Sequence, residues 1–207
     1  ILTEPLELIV TSSKVNVDCN GNNTGSIDIT VIGGTAPYAY TWSNNVPLIN
    51  IEDPTGLSAG IYIVTITDAN GCSVIHQVEI TEPISLIVGL SGNDISCFNG
   101  SNGNIVSTIT GGSQPYTYQW NNGLGTAQNL INVQAGLYIV TVTDANNCIS
   151  VESITLNEPN IITSSITTTN PTCDQGGDGV ASANISGGTS PYAFIGGSGN
   201  GNNPTAN

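Results

Sequence analysis

Basic residues are almost absent. The chain of 207 residues has one Lys (Lys14), no Arg and one His (His76), against 15 Asp and Glu, for a formal net charge of −14. Binding nucleic acid needs Lys and Arg to neutralise phosphates, so nucleic acid is excluded as a partner. An anionic membrane surface is excluded for the same reason. No apolar run approaches the ~20 residues of a membrane span, so no membrane insertion is expected. There is no Met and no signal peptide, which suggests a segment of something longer. Charged residues make up only 8% of the chain, far below the quarter usual in soluble domains.

What is present is Asn, Thr, Ser and Gly, together with Ile, Val and Leu in short alternating runs. Thr and the branched aliphatics favour strands, while Asn and Gly favour turns. An internal repeat organises them. Glu4-Pro5 recurs as Glu82-Pro83 and Glu158-Pro159, and Cys19 recurs as Cys97 and Cys173. Gly33-Gly34 recurs as Gly111-Gly112 and Gly187-Gly188, and Pro37-Tyr38 as Pro115-Tyr116 and Pro191-Tyr192. These sets shift by 78 and then 76 residues, by subtraction of their numbers. Trp42 returns as Trp120, and Gly60, Tyr62, Asp68 and Cys72 return as Gly136, Tyr138, Asp144 and Cys148. The expected organisation is repeat one over 1–81, repeat two over 82–157, and an incomplete repeat three over 158–207 that lacks the last strands.

Within repeat one, strands are expected at Leu6–Thr11, Ser26–Ile32, Tyr38–Trp42, Ile61–Thr67 and Cys72–Ile80, the middle three with a period-two apolar face. Asp68-Ala-Asn-Gly71 reads as the tight turn of the last hairpin. Short strands at this spacing predict an all-β fold of tandem immunoglobulin-like β-sandwiches. Leu57-Ser-Ala-Gly60-Ile-Tyr62 suggests a tyrosine corner, in which a Tyr hydroxyl bonds back to the preceding backbone. The alternative is a Tyr merely buried in the core.

The stretches CNGNNTGSIDITVIGGTAPYAYTWSN and LSAGIYIVTITDANGC, followed by ITEP, resemble the SprB-type repeat of gliding-motility adhesins. Repeat two matches through CFNGSNGNIVSTITGGSQPYTYQW and VQAGLYIVTVTDANNC. The resemblance implies a long protein exported by the type IX secretion system, attached at the outer membrane and displayed extracellularly on the cell surface. It implies work with the gliding machinery and adhesion to external surfaces or polysaccharide. Repeat three departs from the pattern: Gly196 stands where Trp42 stands in repeat one, and a Gly- and Asn-rich tail follows.

Export favours disulfides, which help small domains most. The five cysteines make two pairs, with Cys173 left to find a partner beyond Asn207. The expected pairs are Cys19–Cys72 and Cys97–Cys148. A cross-repeat bond, Cys19 to Cys148, is the rival, because in immunoglobulin topology the first and last turns sit at opposite ends. Free thiols are the third option. No CxxC or paired His accompanies these cysteines, so they do not read as metal ligands.

Carboxylates could supply oxygen ligands to Ca²⁺ at repeat junctions, and Glu82, Asp144 and its counterpart Asp68 are the candidates. The plainer reading is that the aspartates shape their turns and the glutamates open their repeats. Asp174-Gln-Gly-Gly-Asp178 has similar spacing but stands alone. Tyr38, Tyr40 and Trp42 could form a sugar-stacking stripe, though such stripes are more often core. Catalysis is not expected. His76 has no counterpart in repeat two, and Lys14 aligns with Gly92, which rules out a general Lys–Asn isopeptide staple. Three functions compete: the shaft of an adhesin, repeats that themselves grip glycans or surfaces, and a spacer in a secreted enzyme.

Overall fold

The structure is a computed structural model, and it describes residues 6–43, 50–174 and 176–194. Fourteen strands alternate with turns along the described chain. In the first repeat these are β1 (Ile9–Val15), β2 (Gly25–Ile32), β3 (Ala39–Trp42), β4 (Thr55–Leu57), β5 (Gly60–Thr67) and β6 (Ser73–Ile80). They form two three-stranded sheets, ordered β1-β2-β4 and β3-β5-β6. Labelled in sequence, that is A-B-E against C-F-G, the strand distribution of an immunoglobulin sandwich.

The period-two pattern sets which face is buried. Along β5, Tyr62, Val64 and Ile66 are buried while Ile61 and Ile63 face outward. Ile27 and Ile29 of β2 and Val78 and Ile80 of β6 close the same core, with Leu57 of β4. Burying each such aliphatic side chain contributes roughly 1.5–3 kcal/mol. Tyr40 and Trp42 belong to this core, and Tyr38 packs against it.

The second repeat has β7 (Ile87–Asn93), β8 (Gly103–Thr110), β9 (Thr117–Trp120), β10 (Leu130–Val133), β11 (Gly136–Thr143) and β12 (Ile149–Leu156). Its sheets are ordered β10-β8-β7 and β12-β11-β9, the same distribution again. In the third, β13 (Thr163–Thr169) pairs antiparallel with β14 (Val180–Ser186). The departure expected at Gly196 and the tail after it lie outside the described residues.

The first strand begins later than Leu6–Thr11. Residues 6–8 instead lie along the Gly33-Gly34 corner, where the Gly34 N–H bonds to the Leu6 carbonyl at 2.8 Å. The corner requires glycine: Gly33 has φ +80°, and a Cβ there would meet the Glu7 carbonyl oxygen at 1.9 Å. Gly111 repeats it against Ser85 at 2.0 Å. In all three copies a tyrosine hydroxyl donates 2.6 Å to the corner carbonyl: Tyr38 to Gly33, Tyr116 to Gly111 and Tyr192 to Gly187.

The tyrosine corner is present. Tyr62 donates to the Ser58 carbonyl at 3.0 Å, and Tyr138 to that of Gln134 at 2.6 Å.

Two compact units divide the described residues, and they cut across the repeats. One is Ile1–Val88 with Ile109–Thr117 and Thr141–Ser150; the other is Gly89–Thr108, Tyr118–Val140 and Val151–Asn207. The last hairpin turn of repeat two thus belongs to the unit that contains repeat one.

Candidate functional site

The feature that recurs with most chemistry is the turn between the first two strands of each copy, which carries Cys19, Cys97 or Cys173. Each turn is closed in the same way. The Asn22 N–H bonds to the Cys19 carbonyl at 3.0 Å, Gly100 to Cys97 at 2.9 Å, and Gly176 to Cys173 at 3.0 Å.

A side-chain clip spans each turn. Asp18 Oδ1 accepts from Thr24 Oγ1 at 2.7 Å, and Thr24 Oγ1 in turn accepts from the Asp18 N–H at 3.0 Å. The clip in repeat two joins Ser96 and Asn102: the Ser96 N–H donates to Asn102 Oδ1 and Asn102 Nδ2 to Ser96 Oγ. In repeat three it joins Thr172 and Asp178. The spacing is six residues each time, but acid and hydroxyl exchange places between the first copy and the third. The Thr24 hydroxyl, then Asn22 Nδ2, hold Asp18 below the usual aspartate range. The Thr172 side chain and N–H do the same for Asp178. Sequence reasoning missed this clip because it compared identical residues; the signal was a complementary polar pair at fixed spacing.

The turn also receives the start of the following copy. Gly21, at φ +78°, donates its N–H to Glu82 Oε2 at 2.6 Å. Asn99, at φ +55°, donates to Glu158 Oε2, also at 2.6 Å. Both donors adopt left-handed backbone, which Gly and Asn tolerate best. Charge-assisted bonds of this type are short and stronger than neutral ones. Asn20 Nδ2 adds a bond to the Pro83 carbonyl at 3.2 Å.

The other half of the joint is the last hairpin turn. Asp144 is 5% exposed, and its carboxylate accepts three backbone N–H bonds, from Asn146 and Cys148 on Oδ1 and from Ser113 on Oδ2. Asp68 does the same with Asn70, Cys72 and Thr35. Burial pushes the Asp68 pKa up, but the N–H groups of Cys72, Thr35, Asn70 and Gly71 outweigh it, so its carboxyl titrates below the ordinary value of 3.8. The hairpin is thereby fixed against the Gly-Gly corner, where a Cβ on Gly112 would lie 2.9 Å from Asp144 Oδ2.

Cys19 and Cys148 are joined by a disulfide, with S–S 2.05 Å and Cα–Cα 5.6 Å. Asn146 Nδ2 reinforces the joint by donating to the Asp18 carbonyl at 3.0 Å and to Ser113 Oγ at 3.1 Å. The expected pairs Cys19–Cys72 and Cys97–Cys148 are therefore corrected. The physical reason lies in β6. Val17, beside Cys19, bonds to the Thr81 carbonyl past the end of β6, whereas Cys72 precedes its start. Eight residues of strand separate the two ends by roughly 25 Å, far beyond the ~6 Å a disulfide spans. Cys72, Cys97 and Cys173 are exposed free thiols.

The carboxylates considered as calcium ligands are thus engaged elsewhere: Glu82 with Gly21, Asp144 and Asp68 with their own turns. Among the described residues no three His, Cys, Asp or Glu side chains converge on a metal-sized site. The aromatic stripe is not a surface platform, since Tyr40 and Trp42 are 7% and 8% exposed. Trp42 Nε1 donates to the Ile51 carbonyl and Trp120 Nε1 to that of Ala127. His76 Nε2 lies 2.8 Å from Ser12 Oγ, and Lys14 Nζ donates to the Glu79 carbonyl. Among the described residues no helix is long and apolar enough to cross a membrane.

Residues 11–47 and 91–125 each match the family model of the SprB repeat. No curated protein matches the chain. Among solved structures, similarity extends to a C-terminal 282-residue fragment of intimin in complex with the intimin-binding domain of the translocated intimin receptor. It is 14% identical over 80% of this chain and 67% of that one, with a TM-score of 0.38. The amphioxus IgVJ-C2 molecule is likewise 14% identical, over 70% of this chain and 95% of that one, with a TM-score of 0.30. The two matched segments lie in corresponding parts of repeats one and two, and both are similar to the SprB repeat.

Proposed function

We propose that these repeats, three successive copies over 1–81, 82–157 and 158–207, form part of the shaft of a large bacterial surface adhesin. The adhesin is exported by the type IX system, serves attachment and gliding motility, and grips its target through parts outside this segment. The observation that carries the reading is the Cys19–Cys148 bond, because it ties consecutive copies together rather than shaping a ligand site. The polar chemistry that recurs from copy to copy is spent on turns and joints: Asp18, Asp68, Glu82, Asp144 and Glu158 all accept bonds from backbone N–H groups. Tyr40 and Trp42 of the aromatic stripe considered for sugar stacking are in the core. A negative, Lys- and Arg-poor surface keeps neighbouring shafts soluble and apart.

In-frame removal of residues 82–157 from the full-length adhesin tests the reading. A shaft role predicts a shorter surface projection, seen by electron microscopy, with attachment per molecule retained. Loss of attachment, or direct binding of the isolated 207-residue chain to polysaccharide, overturns it.

A further inference from the structure

The bonded joint and the two thiols that flank it have the same local geometry. The turn that presents Cys72 is closed as the turn that presents Cys148 is. Gly71 bonds to the Asp68 carbonyl at 3.0 Å and Asn147 to that of Asp144 at 3.1 Å. The Asp68 N–H bonds to the Cys72 carbonyl at 2.9 Å and Asp144 to that of Cys148 at 3.0 Å. Asn70 Nδ2 donates to Thr35 Oγ1 at 2.9 Å, the counterpart of the Asn146 bond to Ser113. Only the second bond of Asn146 involves the preceding copy: it goes to the Asp18 carbonyl, beside Cys19.

The turn that presents Cys97 matches the turn that presents Cys19 just as closely. It has the six-residue clip, the closing bond to the cysteine carbonyl, and the 2.6 Å bond to the glutamate that opens the next copy. Among the described residues there are therefore one completed joint, one exposed second half at Cys72 and two exposed first halves, at Cys97 and Cys173.

We propose that the pairing is a rule of translation: the first cysteine of any copy bonds the second cysteine of the copy that follows, and never its own. Cys97 is then the attachment site for the last hairpin of a complete third copy, and Cys72 the attachment site for the first turn of a preceding copy. Cys173 would take the second cysteine of a fourth. The partner in each case is another repeat of this type. The Asp-x-Asn-x-Cys hairpin is what a first half recognises, through its disulfide and the Asn amide. Each bond forms from two thiols and a disulfide oxidant of the exporting compartment. The two sulfurs join, and their two electrons and two protons pass to the oxidant, which leaves as two thiols. The rule concerns the joints and does not depend on what the adhesin attaches to.

Duplicating residues 82–157 in place, within the full chain, tests the rule. The duplication raises the cysteines from five to seven by adding copies of Cys97 and Cys148. The chain is oxidised with glutathione disulfide, unfolded without reductant and alkylated with iodoacetamide, and its mass is read. The rule expects three alkylated thiols before and after duplication, with the new bond mapped between Cys97 and the inserted copy of Cys148. Cys97→Ser in the duplicated chain should raise the count to four. Five alkylated thiols in the unsubstituted duplicated chain would mean that the joint does not propagate. One would mean pairing within copies, and either overturns the rule. Should the duplicated chain not fold, a non-reducing peptide map of the secreted full-length protein decides. Cys72 and Cys97 linked to cysteines of flanking copies uphold the rule; free thiols, or bonds within a copy, refute it.

Discussion

Cys19 and Cys148 stand 129 residues apart in sequence, and their Cα atoms lie 5.6 Å from each other. A bond closing so long a loop removes about 5 kcal/mol of conformational freedom from the unfolded chain on the chain-entropy model. Cys148→Ser should therefore lower the urea midpoint strongly, by an amount equivalent to about 2–5 kcal/mol, and reduction of the parent should reproduce the loss. Cys72→Ser, at an exposed unbonded thiol, should change it by less than about 0.5 kcal/mol.

The Asp144 carboxylate holds three backbone N–H groups at 2.8–2.9 Å. Asp144→Ala leaves them without that acceptor in a buried turn, at an expected cost of about 2–4 kcal/mol. Thermal unfolding measures it. Because the same turn carries Cys148, amide exchange at Asn146 and Cys148 should also accelerate.

Asp68 supplies a pH dependence. Its folded-state pKa lies below the ordinary 3.8 despite the opposing effect of burial, because backbone N–H groups stabilise the charged form. A depressed pKa stabilises the fold above the unfolded value, and the gain is lost as pH falls through the folded value. The difference in melting temperature between the parent and Asp68→Asn should be full near neutrality and shrink below about pH 4. A difference that stayed constant down to strongly acid pH would rule this out.

The two tyrosine corners offer a matched pair of substitutions. Tyr138→Phe removes a 2.6 Å bond to the Gln134 carbonyl, and Tyr62→Phe a 3.0 Å bond to that of Ser58. Each should cost about 1 kcal/mol, with the ring packing retained. Chemical denaturation of the single and double variants should give additive losses, because the two corners share no hydrogen-bond partner.

Two glycines with similar backbone should respond differently to alanine. Gly71 has φ +85° with open space where a Cβ would lie, so Gly71→Ala should cost only the left-handed strain of about 1–2 kcal/mol. Gly111 has φ +70° and would drive its Cβ to 2.0 Å from the Ser85 carbonyl oxygen. Gly111→Ala should be several-fold more destabilising, read by thermal unfolding.

The long strands were legible because their residues alternate: Tyr62, Val64 and Ile66 point inward in β5 as period two requires. The tyrosine corner was legible from one Tyr after Gly60. The strands β4 and β10 were not, since three or four residues such as Thr55–Leu57 are too few to show a period. The disulfide partner was legible only as a rival, because spacing within a copy does not reveal which end of the sandwich a turn occupies. That depended on β6 running its full length between Cys72 and Thr81. The clip was hidden by exchange: Asp18–Thr24 and Thr172–Asp178 keep the chemistry while swapping its owners.

The long disulfide loop has a mechanical meaning. When such a chain is pulled from its ends, tension entering at Cys19 can leave at Cys148 through two sulfur atoms. The polypeptide between them is shielded from extension even if its strands come apart. Fully stretched, that hidden stretch of 129 residues would add roughly 450 Å of contour. Under load the oxidised chain extends only outside the segment from Cys19 to Cys148, whereas the same chain with its thiols reduced also releases that segment, so the redox state of the surroundings sets how extensible the protein is.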